Sequence, residues 1–270
     1  MADIRQLLEP IRTIHDRVRD AVVAACERQD VAELSGVDRE AASDTIYSID
    51  VIGEDTIRNL FEEVKRQYSF VLIGEGLEDA SQGDTAADWR IIVDPIDGTR
   101  GYLAGREDWC ISVALVEDAA PLLGAVFAPA SDEFFFAARG QGATRNDVRL
   151  QATAGIEIDF SRVAGPKPLI ERLNLTTGDI VLHPRIASLA LRLCRVAQGS
   201  LDAAFAGGQS HDWDLAAANL IVQEANGIMT ALSGDAILYN RREVAHGLLV
   251  AAGRDRHASI ISRFRHRSLS

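Results

Sequence analysis

The chain has 270 residues, a length that allows one large domain or two closely packed halves. Hydrophobic residues make up 47% of it and charged residues 25%, which excludes disordered, collagen-like and disulfide-scaffold classes. Lys and Arg number 28 against 40 Asp and Glu, so the formal net charge is −12 and a nucleic acid polymer is not an expected partner. An acidic protein can still bind a phosphate ester when metal ions reverse the local charge.

The sequence carries no sign of an oxidising compartment or of a membrane. Its three cysteines, Cys26, Cys110 and Cys194, are far apart and form no C-x-x-C pair, which argues against a zinc site or a disulfide framework. The first 20 residues lack the apolar core of a signal peptide, and no apolar run approaches the ~20 residues that cross a bilayer. We therefore expect a cytoplasmic protein with no membrane partner.

The first half of the chain predicts two helices followed by a group of strands. Apolar residues at helical spacing predict helices over residues 3–28 and 48–67, with a polar loop over 30–45 between them. Short apolar runs separated by turn residues predict five strands. These strands are expected at 70–75, 89–94, 109–117, 122–128 and 133–138, and a turn at Asn146-Asp147.

The second half alternates strands with helices. Strands are expected at 162–165, 201–206, 227–232 and 246–253, and helices at 188–197, at 214–226 and at the end of the chain. Gly227 is expected to stop the second of these helices in a left-handed conformation. The basic residues of the last helix, from Arg254 and Arg256 onward, predict a solvated face. The two patterns predict an α+β half over 1–150 and an α/β half over 151–270, forming one unit.

The segment Trp89–Thr99 joins an apolar strand to two carboxylates. The strand runs into Asp94, a proline sets a turn, and Asp97 follows three residues later. Two carboxylates this close repel each other unless a cation lies between them, and hard oxygen ligands suit Mg²⁺. Gly98 allows a ligand close to the backbone, and Thr99 adds a hydroxyl that can orient water. For the turn alone, an Asp-rich surface hairpin is the alternative.

The string Asp94-Pro-Ile-Asp-Gly-Thr99 resembles the signature of the inositol monophosphatase family of metal-dependent, lithium-sensitive phosphomonoesterases. Trp213-Asp214, followed by a small-residue helix ending in Glu224-Ala-Asn-Gly227, is similar to the second signature of that family, and Ile73-Gly74-Glu75 to a third element. The resemblance covers roughly residues 45–252 in the family's order. It implies a layered αβαβα sandwich, with most metal ligands in the first half and the second half completing the site.

The resemblance also implies a metal centre of two or three Mg²⁺ ions, with Mn²⁺ as an alternative and Li⁺ as an inhibitor. Glu75, Asp94 and the carbonyl of Ile96 would hold one ion. Asp94, Asp97 and Asp214 would hold a second. One metal would lower the pKa of the attacking water and another would stabilise the leaving alkoxide.

Catalytic and substrate-binding roles follow from the same resemblance. Thr99 paired with Asp50 would activate the attacking water, and Glu75 belongs to the same catalytic set. Substrate contacts are implied for four residues: Asp97, Gly98, Thr99 and Asp214. The partner is then a small-molecule phosphate ester, and members of the family often form homodimers.

Structural explanations exist for several of these side chains taken singly. Asp50 alone would be a solvated helix residue, and Glu75 a surface turn residue after a strand. Asp214 fits equally well as a first-turn carboxylate stabilised by the helix dipole. His211 and Asp212, just before the second signature, are expected to be structural.

The substrate pocket departs from that of inositol-specific members, which carry a glutamate seven residues before the second motif aspartate. Here that position is Gly207, so an acceptor for substrate hydroxyls is missing. The segments 105–109, 207–209 and 238–240 look more like those of the bacterial 3′(2′),5′-bisphosphate nucleotidases, which favours adenosine 3′,5′-bisphosphate as the substrate. Arg100, Arg106 or Arg139 could then receive the second phosphate. Inositol 1-phosphate, fructose 1,6-bisphosphate, histidinol phosphate and an inactive binding protein on the same fold are the alternatives.

Overall fold

The computed structural model describes seven stretches of the chain and a few single positions near its start. These are residues 37–40, 45–47, 58–59, 70–75, 89–173, 181–241 and 243–267, with positions 13, 16, 17, 19, 20 and 24. The described positions within the two predicted N-terminal helices are helical. Asp50 and Cys26 lie outside the described residues, so the predictions for them are not addressed by the structure.

A short two-stranded ribbon lies in the region predicted as a loop. Strand β1 (Val37–Glu40) pairs antiparallel with β2 (Thr45–Tyr47). The prediction of a continuous loop over 30–45 is therefore wrong for these residues. The pattern failed because ribbons this short are defined by backbone hydrogen bonds and carry no apolar alternation that would reveal them.

The larger sheet has seven strands arranged in their order along the chain. Only the first pair is parallel, and every later pair is antiparallel. The strands are β3 (Phe70–Gly74), β4 (Trp89–Asp97), β5 (Cys110–Glu117), β6 (Ala120–Ala128), β7 (Glu133–Ala138), β8 (Gly142–Arg145) and β9 (Val148–Arg149). The predicted strands are all present, and Asn146 and Asp147 form the predicted turn with positive φ angles of 47° and 63°.

The smaller sheet has four strands from the second half of the chain, and a two-stranded ribbon lies apart from it. Its members are β10 (Val163–Ala164), β11 (Ala203–Ala206), β13 (Gly227–Ala231) and β15 (Leu249–Gly253), in the order β10-β11-β15-β13. The first pair is parallel and the other two are antiparallel. The ribbon consists of β12 (Ser210–His211) and β14 (Ala245–His246).

Helices separate and cover the sheets. They are α1 (Thr99–Leu103), α2 (Lys167–Leu173), α3 (Leu189–Ala197), α4 (Asp212–Glu224) and α5 (Arg254–Arg267). Helices α3 and α4 contact each other and both sheets, whereas α2 and α5 pack together at the smaller sheet. The resulting order of sheet, helix, sheet and helix matches four of the five predicted layers.

Helix α4 is buried on nearly every side because it lies between the two sheets. Its small residues allow the sheet to come close. A Cβ on Gly124 of β6 would lie 2.6 Å from the carbonyl oxygen of Ala217. The helix begins at Asp212, two residues earlier than predicted. The left-handed residue at its end is Asn226, with φ of 62°, and not Gly227, which starts β13.

Two residues of the C-terminal basic cluster are buried, so the prediction of a fully solvated face is wrong for them. Arg256 is only 4% exposed and donates to the carbonyls of Thr153, Ala154 and Glu157. His257 is 6% exposed, its Nε2 lies 2.9 Å from the hydroxyl of Thr230, and burial lowers its pKa. The prediction assumed that a charged side chain stays in water. Arg256 can be buried because its guanidinium group donates hydrogen bonds to backbone carbonyls of the segment that joins the two halves.

Candidate metal centre

The first wall of the site is the end of β4, where the chain leaves the sheet in a tight bend. Asp94 pairs with Ser112 of β5, but the register shifts before Asp97, so the two residues between them lie outside the regular ladder. The bend is held by local hydrogen bonds: the amide of Ile96 donates to Asp94 Oδ1 at 2.9 Å, and the hydroxyl of Thr99 donates to the Ile96 carbonyl at 2.8 Å. Both carboxylates are nearly buried, at 2% and 7% exposed.

The third carboxylate comes from the first turn of α4. Oxygens of Asp94, Asp97 and Asp214 all lie within 4.8 Å of one another. One oxygen of Asp214 accepts from the amide of His211 at 2.6 Å, so the residue also caps the helix. The structural explanation and the ligand role are therefore compatible, because the carboxylate has two oxygens.

A cavity of about 370 Å³ opens onto this cluster. Glu75, immediately after β3, lines it together with the bend residues Ile96, Gly98 and Thr99. The structure thus brings together, from three separate segments, every predicted metal-ligating and catalytic residue that it describes.

The three carboxylates form a donor set that suits a hard divalent cation. They supply oxygen ligands only, and Glu75 adds a fourth carboxylate to the same cavity. Without a bound cation, this concentration of negative charge would repel a phosphate. Burial raises the pKa of Asp97, although hydrogen bonds from Ser188 and from the amide of Ala190 oppose the rise. The donor chemistry therefore fits Mg²⁺ or a similar ion.

The second wall is the start of helix α3, which the sequence motifs do not reveal. Asp97 Oδ2 accepts from the Ser188 hydroxyl and from the amide of Ala190, both at 2.6 Å, and Oδ1 accepts from the amide of Leu189 at 3.1 Å. A residue of the first wall therefore holds the start of a helix whose cap, Ser188, lies 91 residues later in the chain. The sequence does contain one signal, because Ser188 is a favoured capping residue before the helical pattern of 189–197.

Asp108 fixes this second wall from the loop before β5. Its side chain accepts from the amide of Ala187 at 2.5 Å, and its carbonyl accepts from the amide of Ser188 at 3.0 Å. Arg106 makes two hydrogen bonds to the Asp108 carboxylate and one to the Arg185 carbonyl. Burial by itself would raise the pKa of Asp108, but these hydrogen bonds hold it below its usual value.

Gly98 makes the close approach of the two walls possible. Its φ is +96°, and a Cβ there would lie 3.0 Å from the amide nitrogen of Ser188. Gly101 is also crowded, because a Cβ there would lie 2.5 Å from the Cβ of Ala187. The glycine predicted to let a ligand approach the backbone thus also lets the helix start approach it.

The predicted second-phosphate arginines lie in two different places. Arg100 and Arg106 line the cavity, together with Arg185, which the sequence analysis did not select. Arg139 donates to the carbonyl of Pro121, which is in register with Arg90 at the far end of the strands, seven residues of β4 or roughly 23 Å from Asp97. The suggestion that Arg139 contacts the substrate is therefore wrong, since sequence position gave no strand direction.

The residues around the second signature hold α4 in place, as expected. Asp212 is fully buried and accepts from Nε2 of His246 and from the amide of Asn240, both at 2.6 Å. The ring of His211 stacks on Trp213, with centroids 4.6 Å apart. These contacts tie the start of the helix, and hence Asp214, to the β12–β14 ribbon.

Known proteins resemble this chain in sequence and in fold. A sequence model described as the inositol monophosphatase family matches residues 4–268. The chain is 34% identical over 167 residues to the putative Nus factor SuhB of Neisseria meningitidis serogroup A, which covers 58% of this chain and 64% of that protein. It is 37% identical over 177 residues to the histidinol-phosphatase of Mycobacterium tuberculosis, covering 61% and 67%.

Solved structures show the same fold. The staphylococcal protein SaIMPase-II, bound to 2′-AMP, superposes with a TM-score of 0.76 at 22% identity, covering 98% of this chain and 96% of that one. The same protein has been solved with inositol monophosphate, again with a TM-score of 0.76. The layered fold class is thereby confirmed. Within the described residues, no helix is both long and apolar enough to span a membrane.

Proposed function

The chain belongs to the inositol monophosphatase family, and from that premise we propose that it is a metal-dependent phosphomonoesterase that acts on a small phosphate ester. One observation carries the proposal. Three carboxylates from two distant segments place oxygens within 4.8 Å of one another, at the bottom of an open cavity. Such a charge cluster is costly in a protein unless cations balance it.

The metal-binding residues in this proposal are those implied by the sequence. Glu75, Asp94 and the Ile96 carbonyl would hold one Mg²⁺, and Asp97 and Asp214 would join Asp94 at a second. When bound, the ions would activate water and stabilise developing negative charge on phosphate oxygens. The occupancy of two or three ions, the use of Mn²⁺ and inhibition by Li⁺ stay predictions.

The hydroxyl of Thr99 would orient the attacking water. Its proton is donated to the Ile96 carbonyl, so toward any other group the oxygen acts as a hydrogen-bond acceptor. Activation of the attacking water by Thr99 together with Asp50 stays a prediction, as does binding of the phosphate by the amides of Gly98 and Thr99. Both residues line the cavity, which is consistent with the second role.

For the substrate we propose a phosphate ester with a second anionic group, and adenosine 3′,5′-bisphosphate as the first choice. Three arginines line the cavity, Arg100, Arg106 and Arg185. Arg106 is held by Asp108, whereas the Arg185 side chain is exposed and makes no ion pair with any residue in the described ranges. Arg185 is therefore the better placed of these two to bind an incoming anion. SaIMPase-II, which has the same fold, has been solved with 2′-AMP bound, and this supports a nucleotide as the candidate substrate.

Position 207 is a glycine, so it supplies no carboxylate to accept hydrogen bonds from substrate hydroxyls. Inositol 1-phosphate and histidinol phosphate are the principal alternatives, because relatives carry the corresponding names. A homodimer and a cytoplasmic location stay predictions.

The test is release of phosphate from adenosine 3′,5′-bisphosphate, inositol 1-phosphate and histidinol phosphate, with Mg²⁺ and with EDTA. We expect release only with Mg²⁺, and a kcat/KM about a hundredfold higher for the bisphosphate. Release from none of the three would count against the phosphatase, and a preference for inositol 1-phosphate would count against the second anion.

A matched pair of variants examines the arginine directly. Arg185→Ala should raise KM for the bisphosphate about tenfold and leave KM for inositol 1-phosphate unchanged. Arg139→Ala, which removes the same charge at the far end of the sheet, should change neither. Equal effects of the two variants would show that net charge, and not Arg185, matters.

A further inference from the structure

The carboxylate of Asp97 accepts three hydrogen bonds from oxygen and nitrogen donors, and they are shared unequally between its two oxygens. Its Oδ2 accepts two hydrogen bonds of 2.6 Å, from the Ser188 hydroxyl and the Ala190 amide, and the thiol of Cys110 lies 3.8 Å away. Its Oδ1 accepts from the amide of Leu189 alone among the described residues, at 3.1 Å. A carboxylate oxygen has two lone pairs, so Oδ2 is saturated and Oδ1 is the oxygen with capacity for a cation.

The Ser188 hydroxyl connects this carboxylate to helix α3. It donates to Asp97 Oδ2 and accepts from the amide of Leu191 at 2.9 Å, which makes it the cap of the helix. Its residue is fully buried, and its amide is fixed by the Asp108 carbonyl at 3.0 Å. The hydroxyl therefore cannot turn to water, and its position is set by the backbone around it.

We propose that Ser188 is a positioning residue for the metal centre: it holds Asp97 Oδ2 so that Oδ1 is presented to the cation. This inference rests on the proposed function, because it requires a cation at the carboxylate cluster. Without the hydroxyl, Oδ2 keeps one short hydrogen bond, and the carboxylate can rotate about its last side-chain bond. The ion that Asp97 shares with Asp94 and Asp214 then binds more weakly.

A role in helix capping alone would give a different result. Loss of a cap lowers protein stability without changing a distant ligand. Thr230 offers a comparison, since its hydroxyl also makes a part-buried hydrogen bond, to His257, in the other sheet. Thr230→Val should therefore lower the unfolding temperature without reaching the carboxylates.

The experiment measures Mn²⁺ binding to the full-length protein without substrate, from the electron paramagnetic resonance signal of free Mn²⁺. We expect Ser188→Ala to weaken binding at one class of sites about tenfold, and Thr230→Val to bind Mn²⁺ as the unmodified protein does. In an Asp97→Asn background, Ser188→Ala should change the affinity less than twofold, because the carboxylate that it positions is gone.

The outcomes separate this inference from the proposed function. Unchanged Mn²⁺ affinity in Ser188→Ala, with a lowered unfolding temperature, would reduce Ser188 to a helix cap and leave the phosphatase standing. An equal tenfold loss in the Asp97→Asn background would show that Ser188 acts through another group. Failure of the unmodified protein to bind Mn²⁺ would overturn the metal centre and the role of Ser188 together.

Discussion

The bend at Asp94–Thr99 and the helix start at Ser188–Ala190 form two walls of one cavity, but they are held in different ways. Within the bend, the main hydrogen bonds span two or three residues of the chain. The helix start depends on contacts with Asp97 and Asp108, which are 91 and about 80 residues away in the sequence. The first wall is a local structure, whereas the second is a product of the tertiary fold.

Because of this difference, we expect substitutions in the two walls to have different effects on activity and stability. Changes in the bend should remove chemistry and leave the fold intact, because the strand that carries the bend is anchored by continuous pairing from Trp89 to Asp94. Changes at the contacts between the walls should instead alter affinity and stability together. Variants at each wall, each with a matched control, test whether this division holds.

The largest effect is expected for Asp94→Asn. The substitution keeps an acceptor for the Ile96 amide but removes a charge that both proposed metal sites share. We expect kcat to fall by about a thousandfold or more under saturating Mg²⁺, with an unchanged circular dichroism spectrum. The control is Asp147→Asn, the same change in an exposed turn, which should keep full activity. Normal turnover in Asp94→Asn would show that the residue is not a ligand.

Gly98→Ala should have the next largest effect, since Gly98 belongs to the bend and touches the helix start. An alanine there costs about 1–2 kcal/mol for its positive φ, and its Cβ would also lie 3.0 Å from the Ser188 amide. Gly105→Ala is the matched control, with φ of +69° and no atom within 4 Å of the added Cβ.

We expect kcat/KM to fall roughly thirtyfold in Gly98→Ala and less than threefold in Gly105→Ala, measured by phosphate release. Unfolding temperatures should drop in both, because both carry the backbone strain. If the two variants lose equal activity, strain alone is responsible and the contact between the walls has no role.

The first wall could be predicted from the sequence because everything that defines it is local. An apolar strand, a proline, two carboxylates and a glycine within 11 residues determine the bend, and they also carried the resemblance to the family. Five of the seven strands of the large sheet were predicted for the same reason, since they are clear apolar runs separated by turn residues, whereas the short β8 and β9 were not predicted. Even there, β4 continues to Asp97, three residues beyond its predicted end.

The second wall could not be predicted because no local sequence pattern indicates which distant residue each of its side chains contacts. Ser188 reads as an ordinary helix cap, and only the fold shows that its hydroxyl faces Asp97. Arg139 was a candidate for the second phosphate and Arg185 was not, yet Arg185 lines the cavity and the strand direction places Arg139 at the opposite end of the sheet. The prediction that Arg256 is solvated was wrong, because the carbonyls that accept its hydrogen bonds lie more than 90 residues away in the sequence.

Asp108→Ala removes one anchor of the second wall, and we expect a smaller effect on activity than that of Gly98→Ala. It removes the acceptor for the Ala187 amide and both side-chain bonds from Arg106, but leaves the Asp108 carbonyl that binds the Ser188 amide. We expect KM for the substrate to rise about tenfold while kcat changes less than threefold. Asp159→Ala is a suitable control, because Asp159 caps a short 3-10 helix through Ser161 and does not line the cavity. A fall in kcat without a change in KM would contradict an anchoring role.

The smallest effect is expected in the pH dependence of stability, through the pair that ties the body of α3 to the large sheet. Burial alone would raise the pKa of Glu133, but the hydrogen bond from Arg195 and the nearby Arg145 lower it from 4.5 to about 2. A carboxyl with a lowered pKa in the folded state adds stability above pH 4.5 and loses it as the pH falls toward 2. Because the pair is partly exposed and screened, we expect Glu133→Gln to cost only about 1 kcal/mol at pH 7. Urea unfolding at pH 7 and at pH 3 should show this difference shrinking at the lower pH, and a difference that persists at pH 3 would assign the loss to packing instead of charge.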